Sequence, residues 1–167
     1  QRKEHNVSGL KKKLEEDPSD ARSWFYLANT YVDLGEFDKA EECYLKYLPL
    51  SKFDEEKVQA LLQLGLIARD KGEYDIAEKR ALEALRIAHN RAEIYVLLGE
   101  VAYYKEEWER ALHWYQIATQ IPPPPSVMFL QGKAYTWLPW RRLAECYKRL
   151  GKYDEALACI TKCEEWL

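Results

Sequence analysis

The sequence predicts an all-α fold in which antiparallel helix pairs stack side by side as an α-solenoid. The first observation is an apolar stripe at the spacing of successive helical turns, formed by Trp24, Leu27, Ala28 and Tyr31. The second is another such stripe after Gly35, formed by Phe37, Ala40, Tyr44 and Tyr47. Because glycine adopts backbone conformations that other residues resist, Gly35 is expected to turn the chain between the two helices.

The third observation is that this pattern recurs along the chain. We expect helix pairs at 20–54, 55–91, 92–125 and 137–167. Gly72 and Gly151 stand at the turns of the second and fourth pairs. Glu106 replaces the glycine in the third pair, where the turn is expected to persist in a less relaxed form. A single pair cannot bury its apolar faces, so neighbouring pairs must supply the burial.

Residues 1–19 are expected to form an N-terminal capping helix, equivalent to half a repeat. Val7, Leu10 and Leu14 form a narrow apolar stripe, and the opposite face is charged. One side can therefore pack against the array while the other faces water. Asp17 and Pro18 are expected to end this helix.

An insertion at 126–136 interrupts the array before the fourth pair. The four prolines of 122–125 cannot continue a helix and are expected to form a short polyproline spacer. The segment that follows is long and apolar for a loop, and such loops are usually functional or packed against the domain. Either the insertion packs against the adjacent helices, or it acts as a flap that narrows the concave surface of the array.

The last helix is expected to leave an apolar edge at Ile160, Cys163 and Leu167. Repeat arrays normally finish with a polar-faced helix, which this pattern lacks. One interpretation is that the chain is a fragment of a longer protein, which its first residue, glutamine instead of methionine, also favours. The other is a homodimer through this edge, which would need a contact area of about 1,000 Å².

Composition narrows the classes of partner. The formal net charge is −3 and both signs are spread along the chain, so no basic surface is expected for nucleic acid or an anionic membrane. The sequence contains no apolar run long enough to span a membrane, and its start is too polar for a signal peptide. We therefore expect a cytoplasmic protein that binds neither nucleic acid nor membranes.

No pattern typical of a catalytic, metal or cofactor site is found. The phosphate-binding glycine loops, the GxSxG nucleophile motif and the HExxH zinc motif are absent, and the three histidines are not spaced as helix-borne ligands. The cysteines lack zinc-site spacing and are expected to be small apolar core residues in a reducing compartment: Cys43, Cys146, Cys159 and Cys163. We expect this segment not to be an enzyme by itself and to use no cofactor or metal.

The spacing from Trp24 to Tyr44 resembles the tetratricopeptide repeat, a helix-turn-helix unit of about 34 residues. This resemblance implies a right-handed α-solenoid of about three and a half to four repeats. In that family the first helices of successive repeats line a concave groove that holds a peptide or a protein element. Carried over by register, the partner-binding groove consists of Arg22, Phe25, Asn29, Asp33, Gln59, Leu62, Leu66, Arg69, Glu93, Val96, Glu100, Tyr103, Tyr104, Arg141, Glu145, Lys148 and Arg149. Phe25, Tyr103 and Tyr104 are the expected aromatic anchors.

The groove does not match the chaperone-binding members of that family. Those proteins clamp a C-terminal carboxylate with lysine, asparagine and arginine side chains. The matching positions of this chain are Phe25, Asn29, Gln63, Glu93 and Leu97. Only Asn29 agrees, and Glu93 would repel the carboxylate. A chaperone adaptor of that type is not expected.

A more specific resemblance lies in the departures from the regular period. The segments 17–48, 51–65 and 122–157 are similar to the repeat region that follows the catalytic domain in certain bacterial nucleotide-sugar-dependent glycosyltransferases. The resemblance implies that the catalytic acidic residues and the sugar-nucleotide site lie upstream, outside this sequence. We then expect a non-catalytic repeat domain that positions an acceptor or mediates self-association, with a protein, a peptide or the catalytic domain of the same chain as its partner. The alternative is an independent adaptor that binds a peptide or partner protein in its groove.

Overall fold

The computed structural model describes residues 2–125 and 130–167. All of the regular secondary structure in these residues is helical. Its helices are α1 (Arg2–Glu16), α2 (Ala21–Asp33), α3 (Phe37–Tyr47), α4 (Asp54–Asp70), α5 (Tyr74–Ile87), α6 (Ala92–Tyr104), α7 (Trp108–Thr119), α8 (Trp137–Arg149) and α9 (Tyr153–Glu164). Short 3-10 turns lie at Leu48–Leu50 and Gly132–Tyr135. The predicted all-α array of antiparallel helix pairs is confirmed.

Stacking of the pairs creates the hydrophobic core. Pairs α2–α3, α4–α5, α6–α7 and α8–α9 pack internally, and each second helix also packs against the first helix of the next pair. The buried residues accordingly form three clusters, each of which combines one second helix with the first helix that follows it. Helix α1 packs against α2 through Leu10 and Leu14, while its other face meets solvent. Neighbouring pairs thus provide the burial that one pair cannot.

The turn between the two helices of each pair has the same conformation in all four pairs. Gly35, Gly72 and Gly151 have φ angles of 75°, 78° and 73°, in the left-handed region that favours glycine. Glu106 adopts the same conformation with φ 61°, although its Cβ makes it less favourable. In the third pair the Glu107 amide donates to the Ala102 carbonyl, as the matching amide does in the other three. The expected turn at Glu106 is therefore present.

Two glycines inside first helices permit close helix crossing. A Cβ atom added to Gly99 would lie 2.5 Å from the ring of Tyr115, and one added to Gly65 would lie 2.6 Å from the Leu97 side chain. Tyr115 is fully buried, so its ring has no room to retreat. Small residues at this crossing set the distance between α6 and α7.

The insertion adopts a compact form where the structure describes it. Residues 121–125 have no regular secondary structure, in keeping with the prolines that they contain. Of the insertion expected at 126–136, residues 126–129 lie outside the described residues, and 132–135 form the second 3-10 turn. This turn packs against α6, α7 and α8, with Ala134 buried. The described part of the insertion thus lies against the first helices α6 and α8 and also touches the second helix α7.

Candidate functional site

The first helices α4 and α6 and the insertion together form a pocket of about 450 Å³. We call it the α4–α6 pocket. It contains six of the predicted groove residues: Leu62, Leu66, Arg69, Glu93, Val96 and Glu100. Five further lining residues were not predicted: Leu97, Gln131, Gly132, Lys133 and Leu138. Its size falls within the range of sites that bind small ligands or single side chains.

The pocket is lined by aliphatic side chains and by four charged residues, Arg69, Glu93, Glu100 and Lys133. Leu62, Val96 and Leu138 are buried, while Leu66 is half-buried. Lys133 is exposed on the insertion. An apolar surface bordered by a few polar groups is typical of sites that recognise a side chain and orient its backbone. The lining therefore offers apolar contacts together with charged groups that can pair with polar groups of a bound molecule.

A network of ion pairs joins three repeats along the edge of the pocket. Glu100 is buried and pairs with Arg69 from the preceding repeat and with Arg142 from the following one, the latter at 3.3 Å. Arg142 also pairs with Glu145 at 2.9 Å. Burial lowers the pKa of the Arg142 guanidinium, but its hydrogen bond to Glu145 and the charge of Glu100 outweigh this, and the net pKa is raised. The Arg142 guanidinium therefore remains charged, and its ion pairs hold α8 against α6 at the pocket's edge.

Glu93 attaches the insertion to α6. Its side chain is buried and forms a two-point ion pair with Arg91, with contacts of 3.2 Å and 3.3 Å. The Gln131 backbone amide donates to the same carboxylate at 3.1 Å, and the Tyr135 hydroxyl donates to it as well. Burial, followed by this bond to Glu93, raises the pKa of Tyr135, so the hydroxyl stays protonated and continues to donate. One carboxylate thus holds both ends of segment 131–135.

The other predicted groove residues lie outside this pocket. They are Arg22, Phe25, Asn29, Asp33, Gln59, Tyr103, Tyr104, Arg141, Glu145, Lys148 and Arg149. Phe25 is 1% exposed and packs against the rings of Tyr44 and Tyr47, so it belongs to the core and offers no surface to a partner. Tyr104 is exposed but stacks on Tyr74 with ring centroids 5.7 Å apart. The candidate site therefore lies in the middle of the array, between α4 and α6.

Arg142 was missed because its neighbour appeared to occupy the groove position. Arg141 is instead largely exposed, at 64% of its side chain, whereas Arg142 turns toward Glu100. The spacing to Glu145 could not separate the two arginines, because Arg141 at i,i+4 and Arg142 at i,i+3 both pair with it. Lys133 and Gln131 carried no spacing signal, because the position of an insertion depends on contacts distant in sequence.

The described residues contain no group of three or more side chains suited to hold a metal ion. Within the same residues, no helix has the length and apolar character needed to cross a membrane.

All four cysteines are free thiols. Burial raises the pKa of Cys43 to about 11 and of Cys146 to about 12, which suits core residues better than reactive ones.

Comparison with known families identifies the repeat. Three family profiles, each described as tetratricopeptide repeat, match residues 9–64, 62–124 and 140–166. A TPR repeat-containing protein of Methanocaldococcus jannaschii is 27% identical over 159 aligned positions, which cover 75% of this chain and 28% of that protein. The chain thus spans less than a third of the length of that curated relative.

Solved structures show the same architecture. A crystal structure of MamA has a TM-score of 0.80 and 23% identity, and the alignment covers 95% of this chain and 85% of that one. MamA from Desulfovibrio magneticus has a TM-score of 0.81 and 18% identity, with coverages of 98% and 85%. YrrB, described as a TPR protein with an unusual peptide-binding site, has a TM-score of 0.74 and 18% identity, with coverages of 98% and 77%. At these identities the likeness concerns the fold.

Proposed function

This chain belongs to the tetratricopeptide repeat family, and from that premise we propose that it is a non-catalytic interaction scaffold that binds an extended peptide segment through the α4–α6 pocket. The observation that carries the proposal is the combination of an aliphatic pocket surface with a charged border. The segment would place one aliphatic or aromatic side chain against Leu66 and Val96. Its polar backbone groups would meet the charged border. The peptide-binding site named for YrrB, a protein of the same fold, supports this kind of partner.

The pocket is ready to receive such a segment because its edges are already held in place. Glu100 links α4, α6 and α8 through Arg69 and Arg142, and Glu93 fixes the insertion. Binding to a preformed site loses less conformational entropy than binding that must first order a loop. Affinity is then concentrated in the side chain that enters the pocket, as at other interfaces dominated by a few residues.

The proposal is tested by selecting binders from a random peptide library displayed on phage, with the immobilised chain as target. Selected peptides are then measured by fluorescence anisotropy. Leu66→Lys should weaken their binding by about tenfold or more, because it introduces a charge beside the apolar pocket surface. Leu82→Lys is the matched control, since Leu82 is an exposed leucine on α5 that does not line this pocket. Failure to enrich any binder, or equal weakening by both variants, would contradict the proposal.

We also propose that the scaffold is the repeat region of a nucleotide-sugar-dependent glycosyltransferase, with a cytoplasmic location. The resemblance of segments 17–48, 51–65 and 122–157 supports the first part, and the four free thiols support the second. The groove partner would then be the acceptor or the catalytic domain of the same chain. The complete reading frame provides the test: a long α/β domain upstream is expected, whereas a frame without one would favour the independent adaptor.

A further inference from the structure

The buried carboxylates of the α4–α6 pocket already have protein partners. Glu93 accepts four hydrogen bonds from the residues that the structure describes: two from Arg91, one from the Gln131 backbone amide and one from the Tyr135 hydroxyl. An ionised carboxylate has about four acceptor sites, so Glu93 has no capacity left for a bound molecule. Arg91 also offsets its charge, so Glu93 repels a bound carboxylate less than the sequence alone suggested.

Glu100 is the second acidic residue of the lining, and it is equally occupied. One of its oxygens accepts from Arg69 and the other from Arg142, the latter at 3.3 Å. Arg69 is in turn shared between Glu100 and Asp70, with the Asp70 contact at 2.8 Å. A bound segment would have to break one of these ion pairs to reach either group, and breaking a buried pair is costly.

Lys133 is the remaining charged residue of the pocket lining, and its charge is free. Its side chain is exposed at the pocket. Among the described residues it has no ion-pair partner, and its ammonium donates no hydrogen bond. An ammonium group carries three donors and no acceptor. The hydrogen-bonding capacity that the charged side chains leave open to a bound molecule is therefore on a positively charged donor.

We propose that the α4–α6 pocket selects a peptide segment in which an aspartate or glutamate lies close to the aliphatic or aromatic anchor, and that Lys133 makes this selection. The inference rests on the proposed function, because it names the chemistry of the segment that the pocket would hold. A basic segment is disfavoured, since it would bring its charge to Lys133 while the carboxylates of Glu93 and Glu100 are occupied.

The carboxylate that Lys133 recognises belongs to a side chain of the segment and not to its C-terminus. Chaperone-binding repeats clamp a terminal carboxylate with several side chains, whereas this pocket offers one free ammonium. A lysine is a compact charge on a flexible stem, which suits an acidic side chain that stays at the pocket opening. Exposed ion pairs of this kind add a factor of about two to five in affinity, so Lys133 acts mainly on selectivity.

The test repeats the phage selection with three targets: the parent chain, Lys133→Glu and Lys79→Glu. Lys79 is an exposed lysine on α5 outside the pocket, so its variant is the control for the change in net charge. Peptides fused to the coat protein through their C-termini carry no terminal carboxylate. Aspartate and glutamate should be enriched about threefold near the anchor with the parent and with Lys79→Glu. With Lys133→Glu this preference should give way to lysine and arginine.

Fluorescence anisotropy then measures the coupling with one selected peptide, synthesised with an amidated C-terminus. Replacing its acidic residue by the corresponding amide should weaken binding to the parent about two- to fivefold. The same replacement should have no effect on binding to Lys133→Gln, because the interaction is already lost. Added salt should weaken binding of the acidic peptide to the parent more than to Lys133→Gln.

The outcomes separate this inference from the proposed function. Binders that Leu66→Lys weakens, but that show no acidic preference, would overturn the inference and leave the proposed function in place. An acidic preference that persists with Lys133→Glu would do the same. Tighter binding of peptides with a free C-terminus than of amidated ones would also overturn it, since the carboxylate would then be terminal. Failure to enrich any binder would contradict both.

Discussion

At the scale of single residues, backbone conformation and burial decide what each side chain can do. Glu106 occupies a glycine-like turn, Phe25 is in the core although its register suggested the groove, and the buried thiols are shielded from solvent. In each case the surrounding helices determine the residue's conformation or burial, whatever its own preference. They do so because a single residue contributes little free energy of folding compared with the packing of several helices.

Replacing Glu106 by glycine should stabilise the protein. The left-handed conformation costs a non-glycine residue roughly 1–2 kcal/mol, and the greater freedom of glycine in the unfolded chain offsets part of that gain. A net increase of about 0.5–1 kcal/mol in the free energy of unfolding is expected in urea titrations. Lys79→Gly, in the middle of α5, should instead lower it by about 1 kcal/mol. A decrease for Glu106→Gly would mean that its side chain stabilises the turn.

Alkylation should distinguish Cys163 from the other cysteines. Cys43, Cys146 and Cys159 are buried, and burial raises the pKa of each thiol, so little thiolate forms at pH 8. Cys163 is the more accessible thiol. Mass spectrometry after brief iodoacetamide treatment should find modification at Cys163 in the native protein and at all four cysteines in guanidinium chloride. Rapid native labelling of Cys43 or Cys146 would show that the core opens readily.

At the scale of helices, small residues at the crossings set how closely the two helices of a pair approach. Ala40 and Ala77 occupy the same position of α3 and α5 and are completely buried. Ala40→Leu or Ala77→Leu should lower the free energy of unfolding by about 1–3 kcal/mol, because the added atoms have no space. Ala158→Leu, at an exposed position of α9, should change it by less than about 0.5 kcal/mol. Denaturant titration measures both, and equal values would contradict the assigned helix register.

The insertion is held by one carboxylate, which makes its attachment testable. Tyr135→Phe removes a hydrogen bond to Glu93 while Arg91 and the Gln131 amide continue to bind this group. A hydrogen bond to a charged group contributes about 1.5–3 kcal/mol, so the amides of 131–135 should exchange with deuterium markedly faster. Tyr153→Phe, on an exposed ring of α9, should leave their exchange unchanged. Unaltered exchange in Tyr135→Phe would mean that apolar packing alone holds the insertion.

At the scale of the whole molecule, stability depends on how many neighbours each helix pair has. The central pairs α4–α5 and α6–α7 are flanked on both sides, whereas α9 packs chiefly against α8. In an array of this kind, stability is approximately the sum of contributions from each repeat and from each interface between neighbours. The α4–α6 pocket lies between the doubly flanked pairs, which suits a preformed binding site.

Hydrogen exchange should therefore show a gradient along the chain. The amides of α9 should open with a lower free energy than those of α4 and α6, because opening α9 breaks contacts with essentially one neighbour. Mass spectrometry of exchanged peptides at several urea concentrations measures these values. Uniform protection from α2 to α9 would indicate that the array unfolds as a single unit.

The helices, their pairing and the turns could be predicted from the sequence alone because they depend on contacts between residues a few positions apart. The period of the apolar residues, the turn glycines and the prolines of 122–125 are all signals of this kind. Only the tertiary structure decided that Phe25 is buried, that Arg142 and not Arg141 reaches Glu100, and that the insertion closes one side of the pocket. Those outcomes depend on contacts between residues in different repeats, and such contacts leave no periodic signal in the sequence.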